Sequence, residues 1–405
     1  MRKRKEVTER DLILTAAGTL AGLTHYLYSA HNITGGGEPI AIANALIRSG
    51  SFRDPFIVSG PTGPSAHLAP LLPWILAGFK LLPWQLATVA MVGCVCLASG
   101  IQAALLPRIS EVLFQRTRPG MIAALCAMVL PIFTPDPVWE NLYSAAAVLG
   151  FCVLARKPAG TADGVRCGAA AGLLLLLNPS LAVIIGCWLG YRFWEEWPGL
   201  RAVCRFSAVF CLVCGAVLLP WEIRNYRELG GFIFVRDNMG LELYAANNDC
   251  AGPTLFENLA SGCEKLVHPI LNREEAADMR RMGELNYNHD RQRRALAWIA
   301  LHPERFRRLA ARRVLDFWFP PDTFWITPVT WLSLAGLGLA FRCYRKAAWF
   351  AVAVLALYPL PYYVVQFSTR FRYPVMWISL LLAGYALDRV WQAAAARMER
   401  QDALT

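Results

Sequence analysis

The chain has 405 residues, 56% of them hydrophobic and 17% charged, with a formal net charge of +11. A soluble domain carries about 25% charge, so the composition excludes an ordinary soluble enzyme and points to a multi-pass membrane protein with one larger polar insertion. The positive balance does not require nucleic acid, because much of the Lys and Arg falls in short loops, where it sets membrane orientation.

"MRKRKEVTERD" is a basic start, followed by the apolar run "LILTAAGTLAGLTHYLYSA". That run approaches the ~20 residues of a spanning helix and shows no clear cleavage site, so it reads as an outward-running anchor over about 11–30. "TGGGEPIAIANALIRSGSF" comes next. Its glycines permit a sharp turn. Pro39 suits a first helical turn, and Glu38 sits where a capping carboxylate sits. Ile40, Ala43 and Ile47 share one face up to Gly50, which predicts a short helix lying on the membrane surface. Glu38 therefore has two readings, a helix cap or a carboxylate aimed into a cavity.

The proline-rich run "LAPLLPWILAGFKLLP" (68–83) is short for a span. If it crossed, Arg108, Arg116 and Arg118 after the next span would fall outside, against the positive-inside tendency. It is therefore expected to lie along the outer surface within a first periplasmic loop, 31–83. Spans are expected at about 84–106, 119–135, 138–155, 167–178, 180–195, 203–222, 324–341, 346–365 and 373–391, ten in all with the first. Both termini then face the cytoplasm, and the first loop, "PDPVWEN", 223–322 and "FSTRFRY" share the outer face. The expected division is a membrane module over 1–222, a small periplasmic cap over 223–322 and C-terminal helices over 323–405.

The cap reads as mostly helical, with apolar residues such as Leu296, Ile299 and Ala300 at helical spacing. "HPERF" marks a helix start with Pro303 in the first turn, whereas "LGGFIFVRDN" has strand or hairpin character. Eight arginines between 291 and 313 form a basic group there. Most of the twelve cysteines lie in apolar segments and act as small hydrophobes. Cys250 and Cys263 fall in the cap, where a bridge can form if the region is periplasmic.

The sequence has no GxxxxGK, HExxH or GxSxG motif, and no Cys/His spacing that indicates zinc. The remaining candidates are polar groups at the outer mouths of spans, positions that tend to line functional cavities. Asp136 and Glu140 flank Trp139 and read either as helix-start carboxylates or as site groups. Arg224, Arg236, Arg370 and Arg372 are outer-side cations, suited to phosphate or to pairing with nearby carboxylates. His67 precedes the surface-lying run.

Taken together, "EPIAIANALIRSGSFRDPF", "GPTGPSAHLAPLLPWILAGFKLL", "PVWENLYSA", "LLNPSLA", "LPWEIRNYRELGGFIFVRDNMGLELYAANN" and "HPERFRRLAARRVLDFW" resemble the C-type (GT-C) membrane glycosyltransferases. The resemblance is to the bacterial branch related to protein O-mannosyltransferases and the lipid A aminoarabinose transferase. It implies an all-α polytopic fold in a bacterial inner membrane. It implies sugar transfer from a polyprenyl-phosphate-linked donor to a hydroxyl or amine of a glycan, lipid or protein acceptor on the periplasmic side. Glu38 matches the catalytic acidic position, which in the family often reads Asp or Asp-Glu. Glu140 matches the acidic position of the second outer loop, Arg224 and Asn225 the "RNY" element, and Arg236, Asn238 and Glu242 the polar run after it. The resulting expectation is inverting displacement, with Glu38 as base, Asp136, Glu140 and His67 orienting the acceptor, and Arg224, Arg236, Arg370 and Arg372 at the phosphate. Asn225, Asn238, Glu242 and Tyr373 line the cavity; no cofactor is indicated by the sequence, and a divalent metal is compatible with it. The rival reading is a transporter or flippase of lipid-linked sugars.

Overall fold

The structure, a computed structural model, describes residues 8–29, 37–56 and 59–402. In chain order its helices begin with α1 (Glu9–Ser29), α2 (Glu38–Ser49), α3 (Leu71–Phe79), α4 (Trp84–Phe114), α5 (Arg118–Val129), α6 (Asn141–Leu154), α7 (Gly160–Leu177), α8 (Leu181–Glu195) and α9 (Leu200–Leu229). The cap contributes α10 (Met239–Ala246), α11 (Leu255–Ser261), α12 (Glu264–Val267), α13 (Arg273–Met282), α14 (Glu284–Leu301) and α15 (Pro303–Trp318). The chain continues through α16 (Ile326–Cys343), α17 (Arg345–Leu357), α18 (Leu360–Val364) and α19 (Tyr373–Asp402). Among the described residues there are isolated bridges, Arg53 with Pro64 and Thr254 with Phe367, but no sheet.

The direction of each bundle helix follows from polar contacts at its ends. Asp11, at the start of α1, is paired with Arg108, near the end of α4, at 2.5 Å. The two helices are therefore antiparallel, and everything between them begins and ends on one side. At nine residues, α3 is about 14 Å long, half the ~30 Å of a bilayer core. The expectation that 68–83 does not cross agrees with this path. Arg118, opening α5, pairs with Asp388 of α19 at 3.2 Å. Arg192, closing α8, donates to the Arg156 carbonyl at 2.7 Å, and Lys346, opening α17, donates to the Trp194 carbonyl at 3.0 Å. The arginine-rich joins thus collect at one end of the bundle, while α2, α3, the cap helices and 366–372 collect at the other.

Composition sets the packing between these helices. Gly164, Gly168 and Gly172 of α7 run alongside Val209, Val213 and Val217 of α9, so this pair is parallel and close. Gly336 of α16 is closer still to its neighbour: a Cβ there would stand 1.9 Å from the Leu382 carbonyl oxygen of α19. Among the described residues, five helices are long and apolar enough to cross a membrane, Leu200–Leu229 being one; Arg118–Val129 and Asn141–Leu154 are shorter apolar helices. Exposed Trp84 and Trp325 lie at the cap end, and exposed Trp194, Trp197 and Trp391 at the arginine-rich end, as interfacial aromatics do in membrane proteins.

Several expectations are corrected. "LGGFIFVRDN" is irregular chain, not a strand or hairpin, because its polar groups bond to α9 and to the first loop instead of to a partner strand. The helix expected over 119–135 ends at Val129, that over 203–222 continues to Leu229 past Pro220, and that over 346–365 divides at Pro359 into α17 and α18. The glycine turn at 34–36 lies outside the described residues. Other expectations hold: α2 stops at Gly50, which is left-handed (φ 64), and α15 begins at Pro303.

Gly336→Ala should lower thermal stability by about 1–3 kcal/mol through overpacking against α19. Gly338→Ala, two residues on and with open space around its Cβ position, should change little. Unfolding in detergent measures both, and equal effects would contradict the described α16–α19 contact.

Candidate active site

The site begins at the first turn of α2. Gly37 is the N-cap in extended conformation (φ −142, ψ 177), Glu38 is the first helical residue, and Pro39 follows within the first turn. The N-cap position therefore belongs to Gly37 and not to Glu38, and the Glu38 carboxyl, one residue inside the helix, interacts with its own amide. Glu38 is 9% exposed. Burial raises its proton affinity above the usual value; its own amide, Arg370 and Arg236 oppose that, and Glu242 adds to it.

The arginines come from separate segments. Arg236, in the connection after α9, donates from Nε to the His67 carbonyl at 3.1 Å and lies 3.7 Å from Glu140. Arg370 stacks its guanidinium 3.9 Å over the Trp139 ring, and its Nε has no hydrogen-bond partner. Asp136 accepts from the Val138 amide at 3.0 Å. Its proton affinity is raised by burial, against the Val138 bond and Arg370. Asn238 donates to Glu242 at 3.4 Å, and Glu242 is raised likewise by burial, opposed by both arginines. Tyr373 accepts from the Thr134 amide at 2.8 Å, tying the second loop to the start of α19. Glu38, Asp136, Glu140, Arg236, Asn238, Glu242, Arg370 and Tyr373 thus meet at the cap end of the bundle, with the His67 backbone as a strut.

Two of the expected arginines are placed elsewhere. Arg372 is fully buried, with its guanidinium bonded to the Phe317 and Trp318 carbonyls and to Thr330. It locks α15 to α16 and does not reach the cluster. Arg224 donates to the Ser65 and Phe52 carbonyls and to Asn225, with its guanidinium 5.0 Å from the Trp221 ring centroid. It borders a separate lateral groove of about 350 Å³, lined also by Trp74 and Glu228. Asn225 is fully buried beside it. Cys250 and Cys263 are paired.

Three acidic or imidazole groups at or near the site were not anticipated. Glu264 opens α12 directly after Cys263 and is 3% exposed; burial and then Glu242 raise its carboxyl to about 7. His268 is buried 6.5 Å from His67 between ring centroids, and burial lowers it to about 3. Glu284 accepts from the Ala66 amide at 2.6 Å, pinning the first loop to the cap, and burial raises it to about 8. No local motif signals these three; they are buried by the packing of the cap on the first loop. In the basic group of the cap, Arg291 is paired with Glu275, Asp278 and Asp290, whereas Arg313 is bonded to the Val364 carbonyl. Among the described residues no three His, Cys, Asp or Glu are grouped as metal ligands.

No family model and no curated protein sequence matches the chain. Among solved structures, the oligosaccharyltransferase of Archaeoglobus fulgidus, determined as a complex with Zn and sulfate, matches with a TM-score of 0.57 at 14% identity. The match covers 95% of this chain and 50% of the archaeal one, so the chain spans about half the length of that neighbour. The similarity is one of fold, over about half of that oligosaccharyltransferase.

Glu284 gives a pH test of the described contacts. Its folded affinity is raised from the usual 4.5 to about 8, so the folded chain holds a proton that the unfolded chain releases. The resulting stability is complete below the unfolded value and is lost as pH rises through about 8. Glu284→Gln, which keeps the acceptor oxygen without the charge, should raise the unfolding temperature at pH 8 and change it little at pH 4.5. The same shift at both pH values would contradict a buried, protonated Glu284.

Proposed function

We propose that the chain is a glycosyltransferase that moves a sugar from a polyprenyl-phosphate-linked donor to a hydroxyl or amine acceptor. The observation that carries this is a buried carboxylate, Glu38, facing two arginines from different segments, Arg236 and Arg370, at the end of a membrane bundle. The fold likeness to an oligosaccharyltransferase supports the same class. In this proposal the chain crosses a bacterial inner membrane ten times, with cytoplasmic termini, a periplasmic site and divisions at 222 and 322.

The chemistry follows from the groups present. An acceptor hydroxyl is a poor nucleophile near neutral pH, and a carboxylate within reach removes its proton as the new bond forms. Glu38 takes that proton, the acceptor oxygen bonds to the anomeric carbon from the face opposite the phosphate, and the carbon–phosphate-oxygen bond breaks. The electron pair leaves on the polyprenyl phosphate, and configuration inverts. Arg236 and Arg370 stabilise the growing phosphate charge. The Arg236–Glu140 pair is loose at 3.7 Å, so a phosphate can replace it. Five carboxyls surround two arginines here, but burial raises the proton affinity of Asp136, Glu242 and Glu264. Protons on these groups reduce the negative charge that a phosphate meets. Asp136 and Glu140 orient the acceptor.

In reconstituted vesicles with donor in one leaflet, Glu38→Gln should lower transfer by about 10²–10⁴-fold while the protein still inserts and folds. Near-normal transfer by that variant would sink the assignment. The rate should also fall on acidification as Glu38 is protonated, with a midpoint above the usual carboxylate range. A rate independent of pH across that limb speaks against Glu38 as the base.

A further inference from the structure

Val235 stands immediately before Arg236 and adopts a left-handed backbone conformation with φ 62. A β-branched residue in that region is a genuine outlier that persists only when its surroundings over-determine it. The surroundings here are explicit. Trp221 donates its indole N–H to the Val235 carbonyl at 2.7 Å, and the Val235 amide donates to Glu222 at 3.1 Å. The two clamping residues are adjacent on α9, so one helix end holds both sides of the same peptide turn. Trp221 is itself fixed, edge-on to Phe52 at 4.9 Å and to Trp74 at 5.7 Å. Beyond the turn, the Asp237 amide donates to the Ala66 carbonyl at 2.7 Å, so the first loop secures the other side of Arg236.

We propose that Trp221, Glu222 and the left-handed Val235 form a clamp that positions Arg236 against the His67 carbonyl and Glu140. The three are positioning residues that act through Arg236. What Arg236 then does rests on the transferase reading above; where it is held does not. An alternative is that the turn merely closes the connection from α9 to α10, in which case its loss affects stability and not Arg236.

The test uses the full chain in nanodiscs. Trp221→Phe keeps the ring and deletes the donor; Glu222→Ala deletes the acceptor, and Glu222→Gln retains it. With undecaprenyl-phosphate-linked sugar as probe, the first two should lower kcat by about tenfold or more, the scale set by small displacements in a site, with Glu222→Gln near wild type. In an Arg236→Ala background, Trp221→Phe should add no further loss, since the two act through one group. A full additional loss in that background, or wild-type kcat in Trp221→Phe, overturns the proposal. A structure of Trp221→Phe separates this from failure of the transferase reading. Arg236 displaced from the His67 carbonyl supports the clamp whatever the reaction, and Arg236 unmoved overturns it.

Discussion

The proposed site depends on one electrostatic arrangement, a buried carboxyl at Glu38 in the field of Arg370 and Arg236. Taking an ion out of water costs on the order of several kcal/mol, so such a group either meets opposite charge close by or takes up a proton. Glu38 comes from the first outer loop, Arg236 from the connection after α9, and Arg370 from the turn before α19. Three distant stretches must therefore meet at one end of the bundle. Much of the architecture at that end holds them there: Glu284 pins residue 66 to the cap, Tyr373 pins residue 134, and Arg372 pins the end of α15 to α16.

A surface-lying first loop suits this purpose. Because α1 and α4 are antiparallel, the chain between them stays on one side, and the first turn of α2 is free to face the cap without crossing anything. Burial also sets the protonation of the cluster. The arginines oppose the rise at Glu38, while Glu264, facing Glu242 and Glu38, is driven up to about 7. Within one cluster, carboxyls whose proton affinities diverge are suited to different roles.

What the sequence made legible was mostly local or periodic. Span length and composition predicted the all-helical, membrane-type architecture, and the short, proline-rich run 68–83 contains the nine-residue α3. Gly50 and Pro303 marked helix limits through their own backbone preferences. What stayed hidden depends on tertiary partners. "GGFIFVRDN" has strand-like composition, yet Trp221 and Glu222 take its polar groups and impose the Val235 turn. Arg370 and Arg372 look equivalent in "STRFRY", but they sit two residues apart on a 3-10 turn, where successive side chains diverge by about 120°. One faces Trp139 and the other the end of α15. Arg224 matched a motif but packs on Trp221 beside a lateral groove. Glu264 became a site residue through the burial of α12 beside the Cys250–Cys263 bridge, which no single stretch announces.

The most direct test of the account is a structure of the protein with undecaprenyl phosphate bound. The phosphate should sit between Arg236 and Arg370, within hydrogen-bond distance of both, with Glu38 across the space left for the sugar. A phosphate seated instead in the groove beside Arg224, away from Glu38, would contradict it.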